Sequence, residues 1–194
     1  TPDIVGQGEV RVMKKKVEAV VKMERPKNVK EVRRFLGMVN WYRNFIDKCS
    51  EKSEPLTRLT QKGVKFKWTG KQQQAFDELK KCLTKAPVLI CPDFDKPFEI
   101  HVDASLTGIG AVLVQKRNRK ERVVAYASKT LNRRARNWTT TERELLAIVF
   151  GVERFREYVD GTFFTVITDH AALQWLHSLK NPTGKLGRWI VKLS

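Results

Sequence analysis

Residues 99–115 read EIHVDASLTGIGAVLVQ, and the fold turns on how they are interpreted. Phe98, Ile100 and Val102 alternate with Glu99, His101 and Asp103, the period of a strand with one buried face. Small residues from Ser105 to Gly110 predict a turn, and Ala111 to Val114 form an apolar second strand. Asp103 therefore closes a core strand with a carboxylate. Such a group is costly to bury unless it is paired or holds a metal. A bland reading has Asp103 capping the turn through its own backbone. The alternative needs other carboxylates nearby.

Downstream, the pattern predicts strands at 98–103 and 109–115, a basic turn KRNRKER and a third strand, VVAYAS, at 123–128. A loop carrying Arg133, Arg134 and Arg136 leads into a helix over 140–157. The fourth strand, TFFTVITD, ends on Asp169, and another helix is expected near Ala171. This βββαβα order reads as three antiparallel strands followed by a crossover helix and a parallel strand. If the first and fourth strands are neighbours, Asp103 and Asp169 lie side by side at one sheet edge, where open α/β sheets place ligands. Two carboxylates so placed repel unless a cation sits between them.

The crossover helix offers a third carboxylate. In TTTERELLAIVF, Glu142 and Glu144 flank the apolar stripe at similar angles, so amphipathicity does not choose between them. Thr139 with Glu142 fits a capping box, which gives Glu142 a structural task. Glu144 is the favoured member of the site, with a solvated glutamate as the alternative. An all-oxygen set of three suits Mg²⁺ or Mn²⁺ and two-metal hydrolysis of a phosphodiester.

The first half differs in pattern. Asn28 with Glu31 resembles a capping box before Val29, Val32, Phe35, Leu36, Val39, Tyr42, Phe45 and Ile46 at helical spacing. Lys27, Lys30, Arg33 and Arg34 crowd its first turns, against the helix dipole, and so invite an outside anion. A short helix is expected around Glu54–Gln61, and Thr69 with Gln72 caps another over 73–83. KAPVLICPDFDKPFEI is a proline-punctuated connector.

Composition agrees. The 194 residues carry 38 Lys and Arg against 21 Asp and Glu, a net charge of +17. Residues 1–90 hold 21 against 10 of these, so both halves are basic. A polyanion, nucleic acid first, is the implied partner, with a charged solubility surface as the alternative. No apolar run is long enough for a transmembrane helix, so no membrane partner is expected, and no leader pattern opens the chain. Cys49, Cys82 and Cys91 are widely spaced and odd in number, which points to free thiols in a reducing compartment.

HVDASLTGIGAVLVQ, the long block from Tyr126 to Leu176 and NPTGKLGRWIVKL together resemble the ribonuclease H domain of gypsy-type LTR-retrotransposon Pol polyproteins. GEVRVMKKKVEAVVKMERPKNVKEVRRFLGMVNWYRNFI resembles the end of the palm and the thumb of the adjoining reverse transcriptase. The resemblance implies an α/β fold: a ribonuclease H-like mixed sheet with a crossover helix, preceded by a small helical thumb domain. It divides the chain into the end of the palm (1–27), the thumb (28–87), a connector (88–97) and a C-terminally incomplete ribonuclease H-like domain (98–194). Asp103, Glu144 and Asp169 are then the implied ligands of two Mg²⁺ ions, for which Mn²⁺ could substitute. The implied substrate is the RNA strand of an RNA–DNA hybrid, recognised through 2′-hydroxyls and phosphates. Ser105 and His170, beside the two aspartates, are candidate substrate contacts. Lys27, Lys30, Arg33, Arg34, Arg133 and Arg134 are candidate contacts to nucleic acid.

Implied partners are the rest of the Pol polyprotein, with polymerase fingers and palm upstream and an integrase downstream, and a homodimer is compatible. The implied setting is a cytoplasmic virus-like particle with a later nuclear stage. The family's fourth carboxylate is expected beyond Ser194, which leaves an inactive nucleic-acid-binding module as the competing reading. An integrase of the same superfold fits less well, because its third carboxylate follows both strand aspartates, whereas the order here is Asp, Glu, Asp. YVDG (158–161) imitates a polymerase signature but reads as a turn. His101 reads as a structural neighbour of Asp103. Trp41, Tyr42 and Trp68 read as core residues, with base stacking as the alternative.

Overall fold

The computed structural model describes residues 3–5, 8–12 and 14–169. His170 and the helix expected near Ala171 lie outside the described residues. Alternation in the stretch around Asp103 does produce a hairpin: β4 (Phe98–Ala104) pairs antiparallel with β5 (Gly108–Arg117). A two-residue loop joins β5 to β6 (Lys120–Thr130). Asn118 and Arg119 both have positive φ there (51° and 61°), as a type I′ turn requires.

The chain continues through α5 (Arg133–Arg136), α6 (Thr140–Arg154) and α7 (Arg156–Val159) to β7 (Phe164–Ile167). Helix α6 stops three residues short of the expected end, and Asp160 and Gly161 form the turn before β7. The sheet order is β6-β5-β4-β7, with β7 parallel to β4. This is the mixed sheet with a crossover helix that the pattern predicts.

Gly151 lets α6 lie on the sheet. A Cβ there would come within 3.1 Å of Ile100 Cγ2 and of Val102 Cγ1. Phe98, Ile100, Leu113, Leu145 and Phe155 anchor the core between α6 and the sheet.

The preceding half is helical. Around β1 (Asp3–Val5) and β2 (Glu9–Arg11) come α1 (Lys14–Val21), α2 (Val29–Trp41), α3 (Cys49–Arg58) and α4 (Gly70–Thr84). Asn28 Oδ1 accepts from Glu31 N–H at 3.0 Å, while Glu31 reaches back to Lys27 N–H at 2.7 Å. Thr69 N–H donates to Gln72 Oε1 at 3.1 Å. Val32, Phe35, Phe76 and Leu79 build a second apolar cluster.

Further expectations need correction. The fourth strand, expected to end on Asp169, stops at Ile167. The helix expected around Glu54–Gln61 begins five residues earlier, at Cys49, and carries Pro55 inside it. Proline is a common first helical residue, so it mimics a start signal. The connector is not wholly irregular: β3 (Leu89–Ile90) pairs with β2 and completes a sheet of order β1-β2-β3. Tyr42 and Trp68 do pack inward, but Trp41 is 60% exposed. Among the described residues no helix is long and apolar enough to cross a membrane.

Candidate active site

Parallel pairing fixes the relation of the two aspartates. The last pair of the β4–β7 ladder is His101 with Ile167. Asp103 follows that pair by two residues within β4, and Asp169 follows it by two residues, past the end of β7 at Ile167, so both carboxylates leave the same end of the sheet. Helix α6 returns antiparallel to both strands, so its N-terminal turns lie near those ends. Glu144 shares a stripe with Gly151, which touches Ile100 and Val102. Seven helical residues, about 10 Å, carry that stripe to the level of the strand ends.

Capping separates the two glutamates. Thr139 N–H donates to Glu142 Oε2 at 2.9 Å, and Glu142 N–H donates to Thr139 Oγ1 at 3.2 Å. Glu142 is half-buried at the helix start, whereas Glu144 is 4% exposed.

Asp103 does not cap the turn. Ser105 takes that task, its Oγ accepting from Thr107 N–H (3.1 Å) and Gly108 N–H (2.9 Å). Ser105 Oγ also donates to Glu51 Oε1 at 2.6 Å, so the candidate substrate hydroxyl is held by the fold. Asp103 is ion-paired with Lys48, whose side chain reaches from the start of α3. That hydrogen bond holds the Lys48 ammonium above its ordinary value. Sequence reasoning missed Lys48, and nothing local could reveal it, because 55 residues separate the partners.

The carboxylates converge only in part. Val102 faces α6, so Asp103, its neighbour in the strand, faces the opposite side where α3 packs. Glu144 approaches from the α6 side. Among the described residues, the group of three ligand-type side chains with atoms within 4.8 Å of one another is Glu99, His101 and Glu121 instead. Lys116 Nζ occupies Glu99 Oε1 at 2.7 Å in that group, and this contact holds the Glu99 carboxyl below its ordinary value. Asp103, Glu144 and Asp169 nevertheless fit a hard divalent cation in donor type, and an ammonium already stands in as the cation on Asp103.

Basic side chains frame the rest. Lys27, Lys30, Arg33 and Arg34 are exposed, although Arg33 donates to Thr60 C=O at 3.2 Å. Gly37 and Trp41 continue that face of α2, and the space above Gly37 is open. Arg133 and Arg134 are exposed on α5. Arg133 and Arg136 line a groove with Arg58 of α3, and Glu54 lies between Arg58 (3.5 Å) and Arg136 (3.6 Å).

Residues 93–194 match the family described as the RNase H-like domain found in reverse transcriptase. The chain is 40% identical over 181 residues to the retrovirus-related Pol polyprotein from transposon 297 of Drosophila melanogaster, covering 92% of this chain and 17% of that protein. It is 37% identical over 178 residues to the transposon Tf2-3 polyprotein of Schizosaccharomyces pombe, covering 89% of this chain and 13% of that one. The chain thus spans under a fifth of the length of these curated relatives. Among solved structures, the foamy viral protease-reverse transcriptase in complex with an RNA/DNA hybrid superposes with a TM-score of 0.79 at 20% identity. That match covers 98% of this chain and 28% of the viral one. A double-stranded DNA complex of the foamy viral enzyme gives 0.81 at 22% identity, covering 98% and 35%. At such identity the likeness speaks for the fold.

Proposed function

The chain belongs to the family of RNase H-like domains found in reverse transcriptases, and from that premise we propose that it cuts the RNA strand of RNA–DNA hybrids. Asp103, Glu144 and Asp169 would hold two Mg²⁺ ions. The observation that carries this reading is the parallel β4–β7 pairing up to His101 and Ile167, from which the chain runs on to Asp103 and Asp169 at one end of the sheet. When bound, two divalent ions supply an activated water and neutralise the leaving oxygen of the phosphodiester. The chain's own part is positional. Strand β4 carries Asp103, the segment after β7 carries Asp169 at the same end of the sheet, and α6 would bring Glu144 from a buried position.

Residues 28–87 act in this reading as the thumb. Lys27, Lys30 and Arg34 contact backbone phosphates, while the open surface at Gly37 and the exposed ring of Trp41 let the duplex approach α2 closely. The groove lined by Arg58, Arg133 and Arg136, beside Thr130 of β6, would offer further phosphate contacts. The test is Mg²⁺-dependent cleavage of a labelled hybrid by the full chain. Asp103→Asn, Glu144→Gln and Asp169→Asn should each abolish cleavage and leave hybrid binding in place. Cleavage retained by Asp103→Asn would overturn the assignment.

A second reading, a binding module without cleavage, draws support from Lys48 seated on Asp103. Hybrid binding with no cleavage at any Mg²⁺ concentration would favour it.

A further inference from the structure

The proposed site contains a positive charge of its own, brought in by the helical half. Lys48 precedes α3 with a left-handed backbone (φ 49°). For a non-glycine residue that conformation persists only where surrounding contacts over-determine it. Those contacts are present. Ser50 N–H donates to Ser128 Oγ at 2.9 Å, and Ser50 Oγ donates to Ser128 C=O at 2.8 Å. Thr130 Oγ1 donates to Ser50 C=O at 3.2 Å, and Glu51 receives Ser105 Oγ. Gly108 leaves room for Glu51, since a Cβ there would come within 2.6 Å of Glu51 Cγ. The start of α3 is thereby fixed against β5 and β6, and the Lys48 ammonium is delivered to Asp103.

We infer that Lys48 is a built-in counter-cation of the Asp103 site, which a divalent ion must displace in order to bind. This inference rests on the reading of Asp103 as a metal ligand. An ammonium and a hard divalent ion cannot share one carboxylate at contact distance without strong repulsion. Loading therefore swings the Lys48 side chain, which is 38% exposed, away from Asp103. The pinned backbone at Lys48 keeps the ammonium near enough to return when the ion leaves. Divalent affinity is accordingly set by competition within the chain, and the docked helix holds the site ready without leaving Asp103 unbalanced.

The test is Mn²⁺ binding to the full chain, followed by the electron paramagnetic resonance signal of free Mn²⁺. Asp103→Asn should weaken binding. Lys48→Met, which keeps the stem and deletes the charge, should tighten it by up to about fivefold, the range expected for removing an exposed ion-pair competitor. The double variant should show no gain over Asp103→Asn alone. Lys48→Gln serves as a second variant should the methionine impair folding. Unchanged or weaker binding in both Lys48 variants, with Asp103→Asn still impaired, would overturn the counter-cation while leaving Asp103 a ligand. Binding indifferent to Asp103→Asn would overturn the reading of the site itself, and the inference with it.

Discussion

Gly151 of α6 and Val102 of β4 meet so closely that one added carbon on the glycine would lie 3.1 Å from Val102 Cγ1. Ile100 is equally near, and Ala111 Cβ would stand at 3.3 Å. Gly151→Ala gains helix propensity of about 1 kcal/mol and loses a similar amount to crowding, so its urea midpoint should move little. Gly151→Val adds branched bulk against three buried side chains and should cost roughly 2 kcal/mol or more. A Gly151→Val protein as stable as the wild type would show that α6 can slide on the sheet.

The two glutamates of α6 should part company on mutation. Glu142→Ala and Thr139→Ala disturb the capping box and should each cost about 1 kcal/mol in denaturant titrations, with Mg²⁺-dependent cleavage kept. Glu144→Gln should abolish cleavage. The reverse pattern would exchange their roles.

Salt dependence tests the basic face of α2. Lys30 and Arg34 are exposed without the contact that ties Arg33 to Thr60. Changing both to alanine should make the slope of log affinity against log salt shallower by roughly two units, for all duplex sequences alike. Arg33→Ala should lower stability as well as affinity. An unchanged slope in the Lys30/Arg34 double variant would mean that this face does not meet phosphates.

Acid should weaken the sheet through Glu99. Its carboxyl is depressed below the ordinary 4.5, first by the hydrogen bond from Lys116 and then by His101. A depressed carboxyl contributes stability that is complete above its unfolded value and is lost as pH falls through the folded one. Glu99→Gln should therefore remove part of the stability lost on acidification below about pH 4.5 and change nothing of that slope at neutral pH. Stability curves of identical shape below that pH would deny the Lys116 contact any weight.

What the sequence made legible was local. Period-two alternation found β4, an apolar run found β5, and Thr-x-x-Glu and Asn-x-x-Glu spacings marked the starts of α6 and α2. The same capping logic separated Glu142 from Glu144, while the fourth strand, expected to end on Asp169, closes two residues earlier at Ile167. What escaped was set by distant contacts. The three-residue strands β1 and β2 exist because they pair with each other and with Leu89–Ile90, far along the chain. Helix α3 starts where Lys48 and Ser50 meet residues of the sheet, not where a local start signal stands. Trp41 reads as a core residue by its type, yet its ring lies on the open side of α2 beside Gly37.

The tip of the β5–β6 hairpin has a consequence for protein engineering. Arg119 occupies a left-handed position that glycine would adopt freely, and L-residues give up about 1 kcal/mol there. Arg119→Gly should therefore be a ready stabiliser of this hairpin. Arginine at that place, flanked by Lys116, Arg117, Lys120 and Arg122, instead makes the tip a dense cationic finger. Backbone stability has been surrendered there in favour of charge, so a thermostabilised variant with glycine at this turn should hold its fold better and its polyanion less tightly.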